Sequence, residues 1–234
     1  MRIALMILRL LFPFPYYLAR MSALGKKKNY DKAKAYAFVR HCAKKANKKG
    51  RVMLDVHGTE NIPKEDGFVF FPNHQGMYDV LIFLDSCERP FSFVAKEELK
   101  NVPLLKQTMT ALHCLTINRS DLRQSIEVIK TMTERVKNGE NFLICAEGTR
   151  SRMGNKMNDM KGGSFKSAVK AKAPIVPCAL MDSFVPFDEK SIRKVTVKLF
   201  YLKPMYYDEY KDMTTNEIAA EVKRRIEEVI AANS

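Results

Sequence analysis

The chain has 234 residues, 46% of them hydrophobic, enough for one sizeable α/β domain with at most a small appended element. Lysine and arginine number 40 against 26 acidic residues, a formal net charge of +14. Such an excess favours a polyanionic partner, whether nucleic acid, an anionic membrane surface or a phosphorylated substrate, and charge alone does not choose among them. The five cysteines (Cys42, Cys87, Cys114, Cys145 and Cys178) are odd in number and widely spaced, with no C-x-x-C pair. They read as reduced, buried thiols of a cytosol-facing protein.

Residues Ile3 to Leu18 are strongly apolar and aromatic, but Arg9 interrupts the run and Pro13 and Pro15 are expected to break any helix there. A spanning helix needs about 20 apolar residues, so this segment falls short. A signal peptide is the competing reading, since Arg2 and the apolar run fit its first two regions. Arg9 inside that run, and Arg20 beside the only small-residue site at Ser22-Ala23, oppose cleavage. From Asp31 to Lys49 the pattern predicts a basic helix, with Ala35, Phe38, Val39, Cys42 and Ala46 on one face. An aromatic, proline-bent hairpin followed by such a helix suits the headgroup layer of an anionic membrane, lying on it without crossing.

Beyond Gly50 strands and helices alternate. Strands are predicted at Val52 to Val56, Gly67 to Phe71, Phe91 to Ala95, Leu115 to Ile117, Phe142 to Cys145, Pro174 to Leu180 and Val195 to Leu202. Helices are predicted from Pro103 to about His113 and from Asp121 to Lys137, the second with Ile126, Ile129 and Val136 on its apolar side. Two more are predicted, from Gly162 to Lys172 and from a Thr214/Glu217 capping box to the C-terminus. The charged stretch from Ser151 to Lys161 is expected as a mobile loop. The expected fold is a single α/β domain over residues 51–234, with a mixed, largely parallel central sheet flanked by helices. Residues 1–50 are expected to form an N-terminal helical membrane-association element.

Chemistry is expected where strands end, since open α/β sheets place their ligands there. The run Phe68 to Pro72 delivers His74, and Asp79 follows five residues later. A histidine can take a proton near neutral pH, and a carboxylate on one ring nitrogen fixes the tautomer and stabilises the imidazolium. On one continuous helix five residues turn the two side chains roughly 140° apart. The pair can therefore meet only if His74 precedes the helix and Asp79 lies in its first turn, with Gly76 giving the bend its freedom. Asn118 and Arg119 follow the next such strand, and Glu147, Gly148, Thr149 and Arg150 the one after. Lys161, Gly162, Gly163 and Ser164 open a helix, where free N–H groups could hold an anion. Arginine forks and a helix N-terminus facing one cleft suit a phosphate monoester.

Other chemistries lack their motifs. There is no G-x-S-x-G elbow, Walker loop or dinucleotide glycine fingerprint. The four histidines have no zinc-ligand spacing, and no specific nucleic-acid module is evident.

Taken in order, these residues resemble the glycerolipid acyltransferases, most closely 1-acylglycerol-3-phosphate acyltransferases of bacterial type. Asn73-His74 through Asp79 is similar to the N-H-x4-D block of that family. Ile117-Asn118-Arg119 is similar to the second block and Glu147-Gly148-Thr149-Arg150 to the third, both tied to the acceptor and its phosphate. Ala173-Pro174-Ile175-Val176-Pro177 is similar to the fourth, a proline-flanked strand on the acyl-donor side. The resemblance covers roughly residues 52–202. Gly76 stands where the family often has Ser, Cys145-Ala146 where Phe-Pro is common, and Asn118 where Asp is frequent.

The resemblance implies acyl transfer from acyl-CoA or acyl carrier protein to the sn-2 hydroxyl of lysophosphatidic acid, making phosphatidic acid. His74 would be the base, Asp79 its orienting carboxylate, and Arg119, Glu147, Gly148, Thr149 and Arg150 the acceptor site. Oxyanion donors are expected among backbone N–H groups at the start of the following helix. No metal and no cofactor is expected beyond the donor substrate. The expected location is the cytoplasmic face of the cell membrane, peripherally held. Glycerol 3-phosphate or another lysolipid as acceptor, and a non-catalytic membrane-binding protein, are the alternatives.

Overall fold

The computed structural model describes residues 1–118 and 120–234, so Arg119 lies outside the described residues. Seven strands form one sheet: β1 (Val52–His57), β2 (Val69–Pro72), β3 (Phe91–Lys96), β4 (Leu115–Ile117), β5 (Asn141–Leu143), β6 (Ile175–Met181) and β7 (Val195–Tyr201). Their order across the sheet is β1-β7-β6-β2-β5-β3-β4. All neighbours are parallel except β6 and β7, which are antiparallel, with Cys178 opposite Tyr201 and Met181 opposite Lys198. That reversal brings the starts of β1 and β7 to the end of the sheet where β2, β5 and β6 finish.

The two-residue period of the strands divides the core into two layers. Phe68, Phe70, Leu143, Val176, Cys178 and Leu199 face one layer, and Val69, Phe71, Phe142, Ile144, Ile175 and Ala179 face the other. The first is covered by α3 (Lys32–Lys49), α4 (Asp79–Ser86) and α5 (Leu105–Ala111). The second is covered by α6 (Leu122–Lys137), α7 (Lys166–Ala171) and α10 (Thr215–Asn233). Two single-turn helices, α8 (Val185–Asp188) and α9 (Tyr207–Tyr210), follow β6 and β7. Pro177 is tolerated within β6 because its carbonyl accepts from Leu202 N at 3.0 Å. Its nitrogen therefore faces the same way, toward the point where β7 has ended.

Several boundaries differ from the sequence expectation. Pro13 ends the break rather than making it, since α1 (Arg2–Arg9) stops before it and α2 (Phe14–Gly25) runs through Pro15. Proline is compatible with a first helical turn because its N–H is not needed there. The two helices are bent by 89°, and among the described residues no single helix is long and apolar enough to cross a membrane. Arg2 is fully buried and donates to the carbonyls of Gly50 (2.7 Å), Arg193 (2.9 Å) and Pro186 (3.1 Å), which pins α1 to the domain.

Asp31 caps α3 by accepting from Lys34 N, and Thr214 with Glu217 forms the expected capping box of α10. The inner face of α3 includes Tyr36, Ala43 and Asn47, so it is rotated from the predicted stripe. Ile126 of α6 is exposed, whereas Ile129 and Val136 face the core as expected, joined there by Val128 and Met132. The stretch 151–161 is tied down. Met157 and Met160 enter the second core layer, and Ser151 N and Asn158 N donate to His74 O and Glu147 Oε2.

Candidate active site

Strand β2 is central and buried on both faces, so it fixes the position of whatever follows it. Asn73 extends the hold beyond the strand. Its side chain donates to Leu180 O (3.0 Å) and accepts from Leu180 N (2.7 Å), replacing one step of the ladder to β6. His74 follows outside any helix, and Asp79 opens α4. The spacing of five is thereby folded back on itself, and His74 Nδ1 lies 2.7 Å from Asp79 Oδ2. With the carboxylate accepting, Nδ1 carries the proton and Nε2 is left for other chemistry.

Asp79 is 1% exposed and accepts three further kinds of donor: Gln75 N (3.0 Å), Gly76 N (3.0 Å) and the Ser183 hydroxyl (2.7 Å). A buried carboxylate needs such donors to offset its lost hydration. The same contacts commit two N–H groups of the loop before α4 to Asp79, so Gln75 and Gly76 do not offer theirs to an oxyanion. Gly76 does not adopt a left-handed backbone. Its lack of a side chain serves closeness instead, because a Cβ there would stand 3.2 Å from Phe184 Cα and 3.3 Å from Ser183 O.

The His74 ring is about one-fifth exposed and touches two polarisable neighbours, Asp79 and the Cys145 thiol. Burial of the ring disfavours its charged form, but hydrogen bonding and charge from Cys145 and Asp79 outweigh burial and raise its basicity above that of an ordinary imidazole. The sign is that of a stronger base, held in one tautomer.

Glu147 is also buried, and its two oxygens are spent on the backbone. Oε1 accepts from His74 N (2.6 Å) and Oε2 from Asn158 N (2.8 Å), so this residue clamps the histidine loop to the stretch 151–161. Burial raises the Glu147 carboxyl above its usual range, against the lowering effect of those two N–H donors. Gly148 has φ +77°, and a Cβ there would stand 3.1 Å from Lys161 Nζ. Thr149 is exposed, and Arg150 reaches toward Asp188 at the end of α8, with 3.9 Å between Nη1 and Oδ1.

Of the residues from Lys161 to Ser164, only Lys161 is placed against the Glu147–Arg150 turn. Gly162 packs against Thr215 and Asn216 of α10, and Gly162–Phe165 is a 3-10 turn that runs directly into α7, so the helix expected from Gly162 is present with a 3-10 first turn. Ile175, Val176 and Pro177 are core residues of β6, with Pro174 just before them. Arg119 lies outside the described residues.

Three contributors were not legible beforehand. Gln75 accepts from Ser183 N (2.8 Å), lies 2.8 Å from the Ser183 hydroxyl whose one proton it shares with Asp79, and donates to Asn155 Oδ1 (2.8 Å). Asn155 in turn donates to Asp182 Oδ1 (3.0 Å). Ser183 lies 104 residues from Asp79, and only the pairing of β6 with β2 brings them together. Among the described residues no group of His, Cys, Asp and Glu is arranged to hold a metal ion.

The chain is similar to known proteins along most of its length. It shares 30% identity over 156 residues with a chloroplastic 1-acyl-sn-glycerol-3-phosphate acyltransferase of Brassica napus, covering 65% of this chain and 45% of the relative. With a probable 1-acyl-sn-glycerol-3-phosphate acyltransferase of Mycoplasma genitalium it shares 26% over 240 residues, covering 94% and 89%. The first curated relatives it matches are longer, and the chain spans about half their length. Its fold matches the crystal structure of a 1-acyl-sn-glycerophosphate acyltransferase from Thermotoga maritima with a TM-score of 0.73, 25% identity and 98% coverage of both chains. The acyltransferase family model matches residues 53–181, which contain His74, Asp79, and the Glu147–Arg150 turn. With more than half its length inside that match, the chain belongs to the acyltransferase family.

Proposed function

We propose that this protein transfers an acyl chain from a thioester, acyl-CoA or acyl carrier protein, to the sn-2 hydroxyl of 1-acyl-sn-glycerol 3-phosphate, giving phosphatidic acid. The observation that carries the reading is the His74–Asp79 pair, 2.7 Å apart at the end of a central strand in a chain of the acyltransferase family. His74 Nε2 takes the hydroxyl proton as the oxygen attacks the thioester carbonyl. The tetrahedral adduct then expels the thiolate, which receives the proton from the imidazolium. Asp79 holds the ring and stabilises its charged form between the two transfers. The step uses the chain's own side chains and the two substrates alone.

Arg150 and Lys161 supply positive charge beside the Glu147–Gly148 turn for the acceptor phosphate, with Arg119 expected to join them. Glu147 acts one step back, by fixing the loop that presents His74. Membrane association is supported by where apolar side chains are exposed. Ile3, Ile7, Leu8, Leu11 and Phe12 are exposed on α1 and the turn after it. Met77, Val102, Leu104, Leu122 and Met153 are exposed in the segments that follow β2, β3, β4 and β5, at the catalytic end of the sheet. An apolar surface around the finishing ends of the strands suits an enzyme resting on the cytoplasmic face of the cell membrane, where its acceptor and product reside.

The test is purified protein with acyl-CoA or acyl carrier protein and lysophosphatidic acid, following thiol release and phosphatidic acid together. His74→Ala is expected to abolish both signals, a loss on the order of 10³-fold or more, with thermal unfolding unchanged. Turnover retained in that variant refutes the assignment. A panel with glycerol 3-phosphate and other lysolipids settles the acceptor.

A further inference from the structure

A second basic feature lies outside the catalytic residues. A cleft of about 570 Å³ runs along the outer edge of β1, between that strand and helices α3 and α4. Its cations are Lys44 and Lys48 of α3, Arg51 at the turn into β1, and Lys194 just before β7. All four are exposed, and among the described residues none of them makes an ion pair. That is unlike the basic residues of α10, where Lys223, Arg224 and Arg225 are all paired with carboxylates. The one acid in the cleft, Asp85, lies at its far end on α4 and accepts from the Asn47 amide at 2.7 Å. Arg51 holds a left-handed backbone, φ +58°, which a non-glycine residue adopts at a cost.

The topology decides what this cleft faces. Because β7 is antiparallel to β6, Arg51 and Lys194 stand at the same end of the sheet as His74. They also flank α1. Arg2 bonds to the carbonyls of Gly50 and Arg193, the immediate neighbours of Arg51 and Lys194, and Arg9 donates to Lys49 O at 3.0 Å. The same Arg2 guanidinium also donates to Pro186 O of α8, and α8 carries the Asp188 that faces Arg150. The apolar helix is thus anchored both beside the cleft and to the helix that carries Asp188.

We propose that this cleft is a binding site for the phosphate headgroup of an anionic phospholipid, separate from the acceptor site. The inference rests on the membrane reading above and adds a discrete headgroup site to it. Four uncompensated cations beside an exposed apolar helix fit a charge held at the surface of a bilayer, at the depth where the helix side chains enter it. A soluble anion has no use for the adjoining helix. The lipid bound here orients the domain, with the catalytic end turned to the membrane.

The experiment is sedimentation of the full chain with vesicles of phosphatidylcholine alone and of phosphatidylcholine mixed with phosphatidylglycerol. The test variant carries Lys44→Gln, Lys48→Gln, Arg51→Asn and Lys194→Gln. Asn at 51 tolerates the left-handed backbone. A control variant loses the same number of charges elsewhere, through Lys130→Gln, Lys166→Gln, Lys170→Gln and Lys203→Gln, all exposed. Each cation near an anionic surface is expected to strengthen partition about five-fold, so the loss of four should cost the test variant on the order of several hundred-fold on the mixed vesicles. It should keep its binding to phosphatidylcholine and its unfolding temperature, and the control variant should lose far less.

If both variants weaken equally, the attraction is diffuse and the site is refuted while the membrane reading stands. If the wild-type chain binds neither vesicle, the membrane reading itself falls, and this site with it. If inorganic phosphate or coenzyme A at low concentration removes the preference for mixed vesicles, the cleft serves a soluble phosphate and the proposal is overturned. A loss of acyl carrier protein binding, with vesicle binding intact, overturns it in favour of an acidic protein.

Discussion

At the finishing end of β2 and β5, Asp79 and Glu147 are almost fully buried, and among the described residues neither meets a lysine or an arginine. At the starting end of the same two strands, Asp66 and Glu140 are partly exposed and paired with cations: Asp66 with Arg89, and Glu140 with Arg135 (2.8 Å) and Lys32 (2.9 Å). The two ends use the same side-chain chemistry for different purposes. Neutral N–H and O–H donors hold a carboxylate in place without cancelling its charge, which stays available to an imidazolium. Ion pairs cancel the charge and join segments, here α3 to α6 and β5.

Removing a charge at each end should therefore separate turnover from stability. The largest effect on turnover is expected from Asp79→Asn, a fall in kcat of about 10³ to 10⁴-fold, since the amide disturbs the tautomer of His74. The pH dependence sharpens the point. His74 is raised above an ordinary imidazole, so the rising limb of kcat/KM should lie above pH ~6.5 in the wild type and move to lower pH in the variant. For stability the sign is that of a raised histidine. Its contribution is complete below pH ~6.5 and is lost as pH rises through the folded-state value, a slope that should be weaker in the variant, which keeps only the Cys145 contact.

An intermediate effect is expected from Ser183→Ala, which removes the one hydroxyl that stands between Asp79 and Gln75. A loss of about ten-fold in kcat with KM unchanged, and about 1 kcal/mol in stability, follows from removing one buried hydroxyl donor. Steady-state kinetics and denaturant unfolding check both. An effect on KM alone would place Ser183 with the substrate rather than with Asp79.

The smallest effect on turnover is expected from Glu140→Gln, within about two-fold of the wild type. Here the loss falls on stability, about 1 kcal/mol after allowance for solvent screening of this partly exposed cluster. Burial raises the Glu140 carboxyl, but Arg135 and Lys32 overcome that and hold it at about 2. Its contribution is therefore present above the ordinary glutamate range and lost as pH falls through about 2. Acid unfolding of the variant should lack that component. If Glu140→Gln impaired turnover as Asp79→Asn does, the contrast between the two ends would be wrong.

The sequence carried the strand pattern well because β7 alternates in polarity while β2, β5 and β6 lie in apolar runs. It also carried the His74–Asp79 geometry, since a spacing of five on a helix face forces the histidine off the helix. Less could be read where a contact depends on tertiary register. Ser183 and Asn155 carry no local signal, and they join Asp79 and Gln75 only because β6 pairs with β2. The charge of residues 151–161 pointed to a mobile loop, while two methionines and two backbone N–H groups anchor it. Glu147 looked like a substrate ligand from its place in a motif, yet both its oxygens hold backbone. In each case the nearest neighbours in sequence said little about the nearest neighbours in space.

One detail of the Glu147–Arg150 turn has an evolutionary consequence. Gly148 is in the left-handed region, and the Lys161 side chain lies across it where a Cβ would point. A larger residue at 148 meets both a backbone penalty and the lysine, while shortening Lys161 relieves only the second. Because Lys161 is exposed and its side chain has to give by only a few tenths of an ångström, the backbone rather than the lysine holds position 148 to glycine, and position 161 can change independently of it.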